Sequence, residues 1–451
     1  MSPTAEHIRL VVLLLLIALG VALLARRAKL PYTLGLVVVG LGIGIFHLLP
    51  GVVLTPDLVL VIFLPALLFE GAWNLEQREL VRNWFPIFLL AGPGMAIAIV
   101  IAGLILHFAV GLDWTVAFLL GAIISPTDPI AVLALLRQIG MSSRLRILIE
   151  GESLFNDGVA AAVTQVLQTI VMGSAALALA GHAGFAAASA GQAGASSGAI
   201  ALNLFLSLLR LVGGGIGIGL VIGYLVSHLV RYVNDHLIET TITAVVAYGV
   251  YLLADEVQVS GILAVITAAL ILGSYGRKTG MNADTQNAVD SFWDFAAYIA
   301  NSLLFLLMGI QLGQVSLTGA LAAIGWGVLS VIAGRALMVY LTVYLHNTLL
   351  FLVRHHRRRK YLSPGFIPRR WRILLLSSGL RGALSLALAL ALPLETPSRN
   401  TLIVIVYGVV LVTLLGQGFG LRLLVPLLQR ERRRQPTEQP ETTIEEVHAQ
   451  E

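Results

Sequence analysis

The chain has 451 residues, of which 57% are apolar and 12% charged, with a formal net charge of +5 and no cysteine. Soluble domains carry about 25% charged residues, so most side chains here must face lipid, and disulfides, thiolate metal sites and cysteine nucleophiles are excluded. The basic balance does not point to nucleic acid, because the Lys and Arg residues fall between apolar segments, where they set membrane topology.

A helix needs about 20 apolar residues to cross the hydrocarbon core. Thirteen segments are candidates, near 8–25, 30–50, 57–74, 84–110, 114–136, 145–173, 204–230, 237–254, 259–275, 290–312, 317–350, 372–393 and 401–427. The expected fold class is an all-α polytopic membrane protein filling 1–430. The first segment has no basic stretch before it and is followed by Arg26, Arg27 and Lys29, so it reads as an uncleaved span rather than a signal peptide. Basic residues follow odd-numbered spans: Arg78 and Arg82; Arg137, Arg144 and Arg146; Arg231; Arg277 and Lys278; the 354–372 cluster; and the stretch from Arg422 to Arg434. Even-numbered connections hold almost none, Arg399 being the exception, and Arg9 also falls opposite. The N-terminus is expected outside the cell membrane and the C-terminus in the cytoplasm. The RHHRRRK run at 354–360 suits anionic lipid. The Ala/Gly/Ser segment 176–200 reads as an outside linker, and the polar 431–451 as a short disordered cytoplasmic tail.

Ionisable groups and irregular backbone survive in a membrane only where they face protein or water, so breaks in the apolar pattern point to the site. In FLPALLFEGAWNL of the third span, Glu70 is an extra ligand or entrance acid, or a capped interface residue. His107 in the fourth span reads as a packing residue. In the fifth, GAIISPTDPIAV sets Thr127 and Asp128 between Pro126 and Pro129. Two prolines three residues apart should unwind the helix there and free carbonyls beside the Asp128 carboxylate. The sixth, LIEGESLFNDGVAAAV, carries Glu152, Ser153, Asn156 and Asp157 on adjacent turns. Ser153 and Asp157 share one face, and Glu152 and Asn156 the next. Asp157 falls about 18 Å into the helix, near the bilayer centre. Glu152 reads as one half of a structural ion pair. In the twelfth, LLLSSGLRGALSLALALALP, Ser377, Ser378, Gly379 and Gly382 weaken the helix around Arg381. A mid-membrane guanidinium needs a carboxylate partner, so Arg381 either neutralises a site acid or gates it. Arg335 has no obvious partner, and Glu239 and Asp294 read as interfacial.

The two broken spans are seven apart, so they cross the membrane in opposite directions. Two inverted six-span units joined by the seventh span would give this pattern, which marks a secondary transporter site. No nucleotide-binding, metalloprotease or nucleophile-elbow signature occurs, so an ion gradient is the expected driving force.

The strings FLPALLFEG, SPTDPIAVLA, GESLFND, FLLMGI and GLRGALSLALAL together resemble the monovalent cation–proton antiporters of the NhaP and eukaryotic sodium–proton exchanger branch. The resemblance implies two inverted six-helix repeats with crossed, interrupted helices. It also implies a homodimer, with a dimerisation bundle and a six-helix core that moves like an elevator. Transported Na+ (or Li+) and H+ are substrates, and no cofactor is expected. By motif, Asp157 is the principal ion- and proton-binding acid, with Asp128, Ser153 and the Thr127 carbonyl as co-ligands and Glu70 as an additional acid. Asn156 stands where electrogenic relatives carry a second Asp, which implies electroneutral one-for-one exchange. Glu152 and Arg381 are implied as the ion pair bracing the crossing. A potassium–proton exchanger on the same scaffold is the alternative; an ion channel and an intramembrane protease fit less well.

Overall fold

The computed structural model describes residues 3–28, 32–49, 52, 54–130, 132–133, 142–179, 197–355 and 365–432. These form α1 (Pro3–Ala28), α2 (Tyr32–Ile45), α3 (Leu58–Trp73), a short α4 (Gln77–Arg82), α5 (Trp84–Val110), α6 (Trp114–Ile123) and α7 (Ser143–Leu179). The second half holds α8 (Ser197–Val230), α9 (His236–Glu256), α10 (Gly261–Thr279), α11 (Ala283–Gln314) and α12 (Leu321–His355). It closes with α13 (Arg369–Ser377), α14 (Ala383–Leu390) and α15 (Arg399–Arg432). Among the described residues, eight helices are long and apolar enough to cross a membrane, and α2, α3 and α6 are shorter apolar helices.

Where the chain departs from a plain span, a local cause is visible. Pro93 lies inside a π-helical stretch, Leu90–Gly94, which absorbs the missing backbone donor within α5. Gly111, at φ 79°, ends α5 in the left-handed conformation. His107 sits in that last turn, bonded to the Leu112 carbonyl at 2.7 Å and stacked on Trp114 at 3.7 Å, which fits a packing residue. Arg399, the basic residue on the unexpected side, is used as a helix cap: its guanidinium donates to the carbonyls of Leu392 (2.8 Å) and Leu390 (3.1 Å) at the end of α14. The Ala-rich 176–200 segment is helical at both ends, because α7 runs to Leu179 and α8 starts at Ser197; residues 180–196 lie outside the described residues, as do 356–364 of the basic run and 433–451 of the tail.

Lipid offers no hydrophobic drive between helices, so close packing of small residues holds them together. Gly40 and Gly44 of α2 face Gly309 and Gly313 of α11. A Cβ at Gly309 would lie 2.5 Å from the Val37 carbonyl, and one at Gly313 2.6 Å from that of Leu41. Gly215 and Gly219 of α8 meet Ser260, Ala264 and Thr267 in the same way at α10. Helices α2, α3, α8, α9, α10 and α11 pack together, and α5, α6, α7, α12, α14 and α15 form a second group. Helix α7 touches both, with Gly158 against Leu263 and Ile262 of α10.

Candidate functional site

Helix α6 stops at Ile123, and residues 125–129 are not helical. The second half starts again by ordinary capping chemistry. Asp128 accepts the Ile130 backbone N–H at 3.0 Å, and Pro129 lies immediately ahead of the helical residues, with its carbonyl accepting from the Leu133 N–H at 2.7 Å. Pro126 therefore breaks the first half, while Pro129 leads into the second. The twelfth apolar segment is broken likewise: α13 ends at Ser377 and α14 starts at Ala383, with Gly382 as its extended N-cap.

The two breaks meet. The Asp128 N–H donates to the Leu380 carbonyl at 2.8 Å, and the Arg381 guanidinium donates to the Pro126 carbonyl at 3.2 Å. Asp128 lies beside Gly382, at the N-terminus of α14, where the helix dipole favours an anion. Arg381 faces a carbonyl freed at the C-terminal side of the other break, where a cation is favoured. Each half-helix end thus meets a charge of opposite sign.

Helix α7 clamps the first break from one side. Ser153 donates its hydroxyl to the Thr127 carbonyl. The Asn156 amide faces three oxygens: the Ser125 carbonyl (3.5 Å), Thr127 Oγ1 (3.3 Å) and Glu152 Oε1 (3.4 Å). Thr127, Glu152, Ser153, Asn156 and Arg381 are buried, whereas Asp128 and Asp157 keep partial exposure. Asp157 lies within electrostatic reach of Asp128, Glu152 and Arg381. Its Oδ1 is buried, and it has no hydrogen-bond partner among the described residues.

The expected Glu152–Arg381 pair does not form; the partner of Glu152 is Arg335. Arg335 Nη1 and Nη2 grip the two Glu152 oxygens at 2.6 and 2.9 Å, and the same guanidinium reaches the Leu375 carbonyl (2.8 and 3.2 Å) and Ser378 Oγ (3.2 Å). The reason is spatial: Gly379, lacking a side chain, lets Arg335 of α12 lie across the second break, while Arg381 turns to Pro126. Arg335, Leu375 and Ser378 are thus site residues that sequence reasoning missed; the only signal was a second mid-membrane arginine in a chain with several buried acids.

Glu70 lies on α3, where Asn74 Nδ2 donates to it at 2.7 Å. Tyr32 of α2 lies within electrostatic reach of both Glu70 and Asp128. Glu239, in the first turn of α9, is 1% exposed and accepts from Thr285 Oγ1 at 3.3 Å, while Asp294 is exposed.

The family described as "Sodium/hydrogen exchanger, transmembrane" matches residues 11–427. The chain belongs to that family. It is 37% identical over 427 residues to the Na(+)/H(+) antiporter ApNhaP of Aphanothece halophytica, covering 94% of this chain and 75% of that one. It is also 37% identical over 410 residues to the low-affinity Na(+)/H(+) antiporter NhaS1 of Synechocystis sp., covering 90% and 72%. Among solved structures, the sodium proton antiporter MjNhaP1 of Methanocaldococcus jannaschii shares the fold, with a TM-score of 0.69 at 21% identity over 95% of this chain and 100% of that chain. This sodium/hydrogen exchanger homologue is a multi-pass membrane antiporter and not an enzyme.

Proposed function

We propose that the chain exchanges Na+ or Li+ for H+, one for one, with Asp157 alternating between a proton and the cation. One observation carries the stoichiometry. Five ionisable groups gather at the crossing: the acids Asp128, Glu152 and Asp157, and the cations Arg335 and Arg381. With all five ionised the sum is one negative charge. A single proton or a single monovalent cation neutralises it; both together overshoot, and neither leaves a bare charge where burial is costly. Asn156, neutral and consumed by three oxygens, adds nothing to the sum.

In this reading Asp128, Ser153 and the Thr127 carbonyl are co-ligands, a set of hard oxygens suited to an alkali cation. The Ser153 proton is committed to Thr127, which leaves the hydroxyl lone pairs for a cation. Partial exposure of Asp128 and Asp157 supports a path to water. Glu70, on the neighbouring helix group, serves as an entrance acid. The two groups of helices correspond to a dimerisation bundle and a moving core, arranged as two inverted repeats within thirteen spans. The core works by elevator-type alternating access in a homodimer of the cell membrane, with the C-terminus in the cytoplasm.

Proteoliposomes loaded with a pH dye test this. Added Na+ or Li+ should dissipate an imposed pH gradient with or without a membrane potential, and Asp157→Asn should abolish that recovery while the protein still elutes as a folded species. Sodium-driven proton movement persisting in Asp157→Asn would remove Asp157 from the mechanism; recovery with K+ alone would give the site to a different ion.

A further inference from the structure

Gly382 is the N-cap of α14, with φ −124° and ψ −159°. That is extended backbone which any residue can adopt, so conformation does not call for glycine here. Space does. A Cβ at 382 would lie 2.6 Å from Asp128 Cβ, 2.7 Å from Oδ2 and 3.1 Å from Cγ. We propose that Gly382 is a positioning residue for exchange: the vacant side-chain volume at 382 seats the Asp128 carboxylate between the two half-helix N-termini. The proposal rests on reading Asp128 as a co-ligand.

A methyl group at 382 has to displace something. The backbones do not separate freely, because Asp128 N–H to Leu380 O (2.8 Å) and Arg381 to Pro126 O (3.2 Å) tie the two breaks next to the contact. Turning the Asp128 side chain clears Oδ2 and Cγ but leaves Cβ in place, so the residue itself must also shift, and both changes disturb the cap to Ile130 N–H and move the carboxylate off the end of α14. Gly379, three residues earlier, makes room for Arg335 instead, with a Cβ there 3.1 to 3.3 Å from Nε, Cγ and Cδ. One five-residue break thus holds two glycine-shaped spaces, one for the bracing arginine and one for the ligand carboxylate.

Two measurements test it. In proteoliposomes, Gly382→Ala raises the KM for Na+ by about tenfold or more, the size of one lost charged hydrogen bond, and leaves Vmax within a factor of about two. A merely structural glycine would reduce the yield of folded protein with KM unchanged, and that result overturns the proposal. The second is a thermal-unfolding cycle in detergent on the wild type, Gly382→Ala, Asp128→Gly and the double variant. Gly382→Ala should lower the melting temperature in the wild type and have little effect once Asp128 is Gly, because the clash is gone. If Gly382→Ala alone does not fold, recovery of folded protein in the double variant supports the proposal. Equal penalties in both backgrounds, or no recovery, overturn it. Failure of the wild type to exchange would sink the exchanger reading, while the unfolding cycle would still decide the steric claim.

Discussion

Arg335→Ala is the most demanding test of how the site is held together. The guanidinium makes two bonds to Glu152, two to the Leu375 carbonyl and one to Ser378 Oγ. Glu152 is 1% exposed, and it also accepts a hydrogen bond from the Asn156 amide at 3.4 Å. Truncation therefore strands a buried carboxylate, which costs about 3–5 kcal/mol, a large share of a typical stability of about 5–15 kcal/mol. Arg335→Lys keeps the charge but cannot span both Glu152 oxygens and Leu375 together, so its cost is smaller, about 1–3 kcal/mol from the lost charged hydrogen bonds. Pairing Arg335→Ala with Glu152→Gln removes the stranded charge and should recover much of the loss.

Thermal unfolding of the detergent-solubilised protein, followed by size-exclusion fluorescence, reads these differences. Two cycles decide between partners: 152 with 335, and 152 with 381. Coupling should be far larger in the first, since Arg381 donates to the Pro126 carbonyl instead. Stronger coupling between 152 and 381 would refute the bracing scheme drawn from the structure.

Three further outcomes follow. Asn156→Asp replaces an amide that faces three oxygens with a fourth acceptor, so the new acid must take up a proton to fit; stability should fall by about 1–3 kcal/mol, and currents on supported membranes should stay at the electroneutral baseline. Gly44→Ala drives a methyl group into the Ile310 carbonyl at the α2–α11 contact, costing about 1–3 kcal/mol by overpacking, visible as a lower melting temperature with the Na+ KM unchanged. Ser153→Ala leaves the Thr127 carbonyl without its hydroxyl donor, and should weaken Na+ binding about tenfold while proton uptake by Asp157 persists, measured as Na+ KM against pH.

The helices were legible because lipid imposes a simple rule: long apolar runs became helices, and the runs carrying SPTDP and SSGLRG became the broken ones. The pairing inside the site was not. Glu152 and Arg335 are 183 residues apart, and two mid-membrane arginines were available to several acids; which one reaches Glu152 depends on side-chain room at Gly379, a feature that spacing along one helix does not encode. The role of Pro129 was readable in principle, since Asp followed by Pro is a helix-start signal. Reading both prolines only as breakers hid it. The Ala-rich 176–200 segment is helical at both described ends, as alanine's high helix propensity favours.

On the proposed reading, competition at a single acid would suffice for coupling. The carbonyls of Pro126, Thr127 and Leu380 at the two breaks each have a donor: Arg381, Ser153 and the Asp128 N–H. Asp128 itself is engaged by Ile130 N–H, and Glu152 by Arg335. At this crossing the buried acceptors left without a hydrogen-bond partner among the described residues are Asp157 Oδ1 and Asn156 Oδ1, one of them on a carboxylate. A buried acceptor left bare costs about 1–3 kcal/mol, and more when charged. A proton on Asp157 relieves that cost by removing the charge, and a cation relieves it by supplying the opposite one. Among the described residues, Arg381 Nε and Ser385 Oγ are also buried without a hydrogen-bond partner. On the proposed reading, the exchange of one for the other would centre on the Asp157 carboxylate, with Asp128, Ser153 and the Thr127 carbonyl as its co-ligands.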